Sequence, residues 1–141
     1  MASQKLGPGL LHVEKVRVTK ALTVPSMAES FPSFAEMPPV FATAFLVAAV
    51  EWACMEAISP YLEKGQVSVG TRVDIGHLAA TPVGMNVEIH VELVKVASRK
   101  LLFKVRCSDD AELICEGTHE RFVVDLAKLV SRVEKKVALA V

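Results

Sequence analysis

Val40-Phe41-Ala42-Thr43-Ala44-Phe45-Leu46-Val47-Ala48-Ala49-Val50-Glu51 is the stretch that decides the fold. Ten of the eleven residues from Val40 to Val50 are apolar, Thr43 is the exception, and Glu51 ends the run. Trp52, Ala53, Cys54, Met55 and Glu56 continue in the same Ala-, Leu-, Met- and Glu-rich composition, and Pro60 supplies a stop, so the sequence predicts a helix over residues 40–62. Its first half has no polar face. A helix of that kind is normally buried on all sides. The apolar run is too short to cross a bilayer, which takes ~20 residues.

Downstream, four runs alternate apolar and polar residues, the period of a half-buried strand. Val67, Val69, Thr71, Val73, Ile75 and His77 share one face, as do Met85, Val87, Ile89, Val91 and Leu93 in the next run. Leu101, Phe103, Val105 and Cys107 form a third set, and Leu113, Cys115, Gly117, His119, Arg121 and Val123 a fourth. Turn residues separate the last three junctions: Thr81-Pro82-Val83-Gly84, Ser98-Arg99 and Ser108-Asp109-Asp110. Hairpins in succession build an antiparallel sheet. Residues 125–141 form a tail in which charges alternate with Leu126, Leu129, Val130 and Val133, as in a surface helix.

Upstream, Val16, Val18, Leu22 and Val24 fall on even positions and predict one more strand. Residues 25–39 hold four of the seven prolines and read as a loop. That loop also carries Phe31 and Phe34, and apolar side chains on a long loop suggest a lid. One strand, one buried helix and four antiparallel strands pack most economically as a curved sheet around the helix. This is an α+β hot-dog fold, expected to occupy residues 1–141 as a single domain. The apolar share of 52% and mean hydropathy of +0.39 fit a core plus a subunit interface, and hence a homodimer.

Sixteen basic and sixteen acidic residues cancel, so no nucleic acid or anionic membrane partner is expected. Cys54, Cys107 and Cys115 are odd in number and widely spaced, which argues against a disulfide framework or a zinc site and for a reducing compartment. No signal peptide is read in the first eleven residues, and the expected location is cytoplasmic.

Polar groups in apolar positions are the candidates for chemistry. Glu51 is either a carboxylate carried into the core or the point where the helix surfaces. His77 is inward on its strand, whereas His90 lies on a polar face. An inward histidine and an inward carboxylate in one small core can act as a base and its partner. Thr43 either bonds back to its own helix or serves a site. Thr43 and Glu51 are ~12 Å apart along a straight helix axis, so either the helix begins after Thr43 or a site draws on two subunits. Gly70, on the outer face of its alternation, marks a bulge or a close backbone approach by a ligand. Arg121 shares an inward face with His119 and is a ligand for phosphate or carboxylate, or a structural ion pair.

Several ordered motifs resemble the fluoroacetyl-CoA thioesterase family: Phe34-Ala35-Glu36-Met37-Pro38-Pro39-Val40-Phe41-Ala42-Thr43, Glu51-Trp52-Ala53-Cys54, Ser59-Pro60-Tyr61-Leu62-Glu63, Val69-Gly70-Thr71, His77-Leu78-Ala79-Ala80-Thr81-Pro82 and Gly117-Thr118-His119-Glu120-Arg121. The resemblance implies a hot-dog dimer that hydrolyses an acyl-CoA without metal or added cofactor. It implies Thr43, Glu51 and His77 as catalytic residues, Gly70 and Arg121 in the pocket, and Phe34 on the lid. Met37 stands where the fluoroacetyl enzyme has a second lid phenylalanine, which implies a different short acyl group. A non-catalytic acyl-CoA-binding module and a hot-dog enoyl-CoA hydratase are the rival readings.

Overall fold

A computed structural model describes residues 6–140. The first five residues of the segment read as carrying no signal peptide, and Val141 at the end of the expected domain, lie outside the described residues. The chain runs β1 (Leu11–Arg17), α1 (Thr43–Ile58), β2 (Gln66–His77), β3 (Asn86–Ala97), β4 (Lys100–Ser108), β5 (Leu113–Asp125) and α2 (Leu126–Leu139), with short 3-10 turns between β1 and α1 and after α1. The strands form one sheet in the order β1-β3-β4-β5-β2, antiparallel at every pairing.

The alternation of β3 and β4 sets the core. Val87, Ile89, Val91 and Leu93, with Leu101, Phe103, Val105 and Cys107, are buried. Against them pack Leu46, Ala49, Val50, Ala53, Cys54, Ala57 and Ile58 of α1, at helical i, i+3, i+4, i+7 spacing. Each large side chain so buried contributes about 1.5–3 kcal/mol. The expected hot-dog architecture, a sheet curved around one helix, is the one observed.

Three local expectations are corrected. First, the helix starts at Thr43, not Val40. Val40 and Phe41 are extended and bridge Pro82 and Thr23. Nor is α1 buried all round: Ala44, Ala48, Trp52 and Met55 are exposed, because the sheet covers only one side. With the turn Ser59–Tyr61 the helix is long and apolar enough by length and composition to cross a membrane. Its sheet-facing stripe makes it a core helix instead. Second, the first strand is Leu11–Arg17. Val18 is buried just after it, and Leu22 and Val24 fall in turns, where Pro25 cannot donate to a ladder.

Third, β2 changes face. Its register against β5 slips between Gly70 and Arg72, a β-bulge that leaves Thr71 without an opposite residue. Past the bulge Val73, Ile75 and His77 lie opposite His119, Gly117 and Cys115, on the inner face as expected. Before it Ser68 and Gly70, not Val67, Val69 and Thr71, share the inner face with Val123 and Arg121. β2 is an edge strand, and α2 is a surface helix whose Leu126, Val130, Val133 and Val137 stay exposed.

Candidate active site

Two polar clusters sit on α1, one at Thr43 and one at Glu51. At its first residue, Thr43 Oγ1 and His77 Nδ1 share a hydrogen bond of 2.7 Å. His77 is delivered by the last position of β2, after which Leu78 N–H donates to Ile114 O and fixes the chain's exit. Thr43 is delivered by the extended entry to the helix: Ala42 N–H donates to Leu22 O, and Phe41 N–H to Thr81 O. Thr81, fully buried, donates its hydroxyl to Asp109 Oδ2 at 2.8 Å. Burial works to raise the Asp109 pKa but is outweighed by bonds from Ala111 N–H, the Thr81 hydroxyl and Glu112 N–H, which hold it below the usual value. Burial lowers the His77 pKa, with the Ala79 backbone opposing, so the ring is neutral near pH 7. Its Nε2 is buried and meets no hydrogen-bonding partner among the described residues. A hydroxyl paired with a neutral imidazole is suited to proton transfer.

Two turns further along α1, Arg121 Nη1 donates to Glu51 Oε1 at 3.2 Å. The Arg121 side chain is only 3% exposed, whereas Glu51 is 39% exposed. Three more of the five guanidinium N–H groups are committed: Nε to Ser68 Oγ (2.8 Å), one of Nη2 to Ser68 O (2.9 Å) and the second of Nη1 to His119 Nε2 (3.1 Å). Gly70 completes the cluster. A Cβ there would run into Glu51 Oε1 and lie 3.3 Å from both Arg121 Nη1 and His119 Cε1. Gly70 is therefore a point of close approach, here by the Glu51 side chain rather than by the ligand expected, and the bulge falls one residue later. Burial lowers the His119 pKa, Arg121 adds to the effect, and the bond to Arg72 O together with Glu51 and Glu120 oppose it. Cys54, one turn from Glu51, has its thiol pushed up to about 12 by burial and is not a nucleophile near neutral pH.

The structure thus brings Glu51, Gly70 and Arg121 together, and separately Thr43 and His77. It does not pair Glu51 with His77 within one chain. Because α1 begins at Thr43, the axial separation of ~12 Å stands. On the sheet, His77 lies opposite Cys115 and Gly70 opposite Arg121, six positions apart along β5, or about 20 Å. Phe34 and Met37 belong to neither cluster. They stand on and just beyond the turn Pro32–Glu36 of the loop, whose ends are tied beside Thr43 by Val24 N–H to Val40 O. The Phe34 ring packs 5.7 Å from that of Phe31. Ser68 went unnoticed in the sequence, where the uninterrupted alternation put it on the outer face. Allowing a bulge after Gly70 would have turned it inward.

A sheet wrapped on one helix, with polar clusters at that helix, defines a hot-dog protein of the thioesterase class. Among solved structures, a Thermus thermophilus protein described as a thioesterase superfamily member matches with a TM-score of 0.82, at 27% identity over 94% of this chain and 96% of that one. The model of the family described as fluoroacetyl-CoA-specific thioesterase matches residues 18–127, and the chain belongs to that family. The fluoroacetyl-CoA thioesterase of Streptantibioticus cattleyicolor is 45% identical over 114 residues, 81% of this chain and 82% of that protein. A crystal structure of a fluoroacetyl-CoA thioesterase matches with a TM-score of 0.92, at 40% identity over 94% of this chain and 98% of that one.

Proposed function

We propose that this protein hydrolyses a short-chain acyl-CoA thioester to free acid and CoA, as a cytoplasmic homodimer whose site joins the two clusters across subunits. The observation that carries the reading is the position of Thr43–His77 and Glu51–Arg121 at two points of one apolar helix. If two copies set their α1 helices side by side and antiparallel about a two-fold axis, the Thr43 end of one faces the Glu51 region of its partner. The exposed Trp52, Met55 and Val73, on α1 and on the edge strand β2, supply apolar surface for that contact.

In the combined site Glu51 brings oxygen to the thioester carbonyl, through a water it deprotonates or by direct addition. Its Oε1 is held by Arg121, while Oε2 accepts no hydrogen bond among the described residues and is left for this work. The Thr43 hydroxyl and the close-lying Gly70 backbone serve the oxygen that gains negative charge. The C–S bond then breaks. On the water route the proton that Glu51 took passes by way of His77 to the departing thiolate. On the direct route a water hydrolyses the Glu51 anhydride to the free acid and gives its proton by way of His77 to the thiolate. No metal or added cofactor takes part in this scheme. Met37, exposed beside Phe34, favours an acetyl-sized or slightly larger acyl group over fluoroacetyl.

The test is release of free thiol from a panel of short acyl-CoAs that includes acetyl-CoA and fluoroacetyl-CoA. The expected result is release that Glu51→Gln and His77→Ala each reduce by orders of magnitude. Binding of the esters without release would favour an acyl-CoA-binding module, and loss of enoyl absorbance without thiol would favour a hydratase.

A further inference from the structure

The proposed mechanism leaves one fully buried titratable group in the Glu51 cluster unused, His119. We propose that His119 is a positioning residue whose Nε2 lone pair draws Arg121 into a single-bond contact with Glu51, so that the second carboxylate oxygen stays free for the reaction. The inference rests on the reading of Glu51 as the reacting carboxylate.

The hydrogen bonds of His119 leave one protonation state. Nδ1 lies 2.8 Å from Arg72 O, and a carbonyl only accepts, so Nδ1 carries the proton. Nε2 lies 3.1 Å from Arg121 Nη1, and a guanidinium only donates, so Nε2 is the acceptor. The ring is therefore neutral. The Arg72 carbonyl comes from the residue that follows the bulge, so the irregularity in β2 presents the group that fixes the tautomer.

The consequence reaches Glu51 through the two N–H groups of Nη1. One goes to His119 Nε2 and the other to Glu51 Oε1. Nε and one N–H of Nη2 are occupied by Ser68. A guanidinium free to turn would present its fork to the carboxylate and bind both oxygens, the preferred geometry of such pairs. Anchoring on Ser68 and His119 prevents that turn. A protonated His119 would place N–H against N–H and undo the arrangement.

Turnover of acetyl-CoA by variants tests the proposal. His119→Leu removes the acceptor, and its kcat is expected to fall by about 10²-fold with little change in KM. His119→Gln keeps an amide oxygen for Arg121 and an amide N–H for Arg72, and should recover most of that loss. In a Glu51→Gln background, His119→Leu should cost little more, because the group it serves is gone. A purely structural role would slow both backgrounds alike. A ring-nitrogen NMR spectrum of the unsubstituted protein checks the same claim without depending on how any variant folds: a neutral, Nδ1-protonated His119 is expected at neutral pH. An Nε2-protonated or charged ring would overturn the proposal, as would normal turnover in folded His119→Leu or a His119→Gln as slow as it. A slow Glu51→Gln with normal His119→Leu would remove His119 alone. Normal turnover in Glu51→Gln would remove the reading of Glu51 and the His119 proposal with it.

Discussion

Thr43 Oγ1 lies 2.7 Å from His77 Nδ1, while Glu51, on the same helix, lies two turns away with Arg121 Nη1 at 3.2 Å from its carboxylate. The helix that supplies both groups keeps them apart in one chain, and this separation shapes what should happen when the site is altered.

Gly70→Ala should be disproportionately harmful. The added methyl group meets Glu51 Oε1 and crowds Arg121 and His119. Overpacking of this kind costs about 1–3 kcal/mol. Because the carboxylate must move off Arg121, kcat should fall further than the melting temperature suggests. Parallel measurement of kcat and thermal unfolding checks this; full activity would show that Glu51 tolerates displacement.

Asp109→Ala should loosen Thr43 from a distance. It removes the acceptor for the buried Thr81 hydroxyl and for two backbone N–H groups. Stranding a buried donor costs about 1–3 kcal/mol. The loop whose Thr81 O receives Phe41 N–H would lose its anchor. Denaturant unfolding should report the lost stability, and hydrogen exchange the faster opening at Phe41. In acid the native protein should weaken by the same route. The depressed Asp109 pKa means its contribution is present above the unfolded value near 3.8 and is lost as pH falls through the folded one.

How much of this was legible beforehand depends on the strand. β3, β4 and β5 alternate without interruption over residues 87–93, 101–107 and 115–123, so the buried faces there follow from period alone. β2 does not, because a bulge reverses its face; the alternation placed Gly70 outward when it faces Glu51. The sequence carries the mark of that irregularity, a glycine in a valine-rich strand, but not the direction in which it turns the residues before it. The helix was legible as buried, yet its exposed Trp52 and Met55 face was not, since composition does not say how many sides a sheet will cover. Glu51, His77, Thr43 and Arg121 stood out as polar groups in apolar settings. Their partners are long-range relationships: Arg121 and Glu51 are 70 positions apart and Thr43 and His77 are 34 apart. Periodicity carries no information about such pairings.

Stability should fall as pH drops through the mildly acidic range. His77 and His119 both have folded pKa values below 6.5, chiefly from burial. The unfolded chain therefore takes up protons near 6.5 that the folded chain refuses, and stability rises with pH wherever the unfolded state binds more protons. The decline should level off below the folded pKa values. Urea titrations across this range should show the slope, and His119→Gln should make it shallower. An unchanged slope would mean that His119 titrates alike in the folded and unfolded chain.

Trp52→Glu should convert the dimer to a folded monomer with little activity. Trp52 is 39% exposed in the single chain, on the face of α1 that the sheet leaves uncovered. A charge there adds nothing to the fold of one chain but would be desolvated at a subunit contact. Sedimentation reads the mass, and circular dichroism reads the fold. A dimer that persists would place the interface elsewhere.

The most direct test of the shared site mixes two inactive variants. Glu51→Gln and His77→Ala are each expected to be nearly inert as homodimers. In a mixed dimer one site keeps His77 from the first chain and Glu51 from the second, while the other site loses both. Random reassociation of equal amounts should therefore restore about a quarter of the unsubstituted activity, half the dimers being mixed and each carrying one intact site. A mixture no more active than its two components would contradict a site built across subunits.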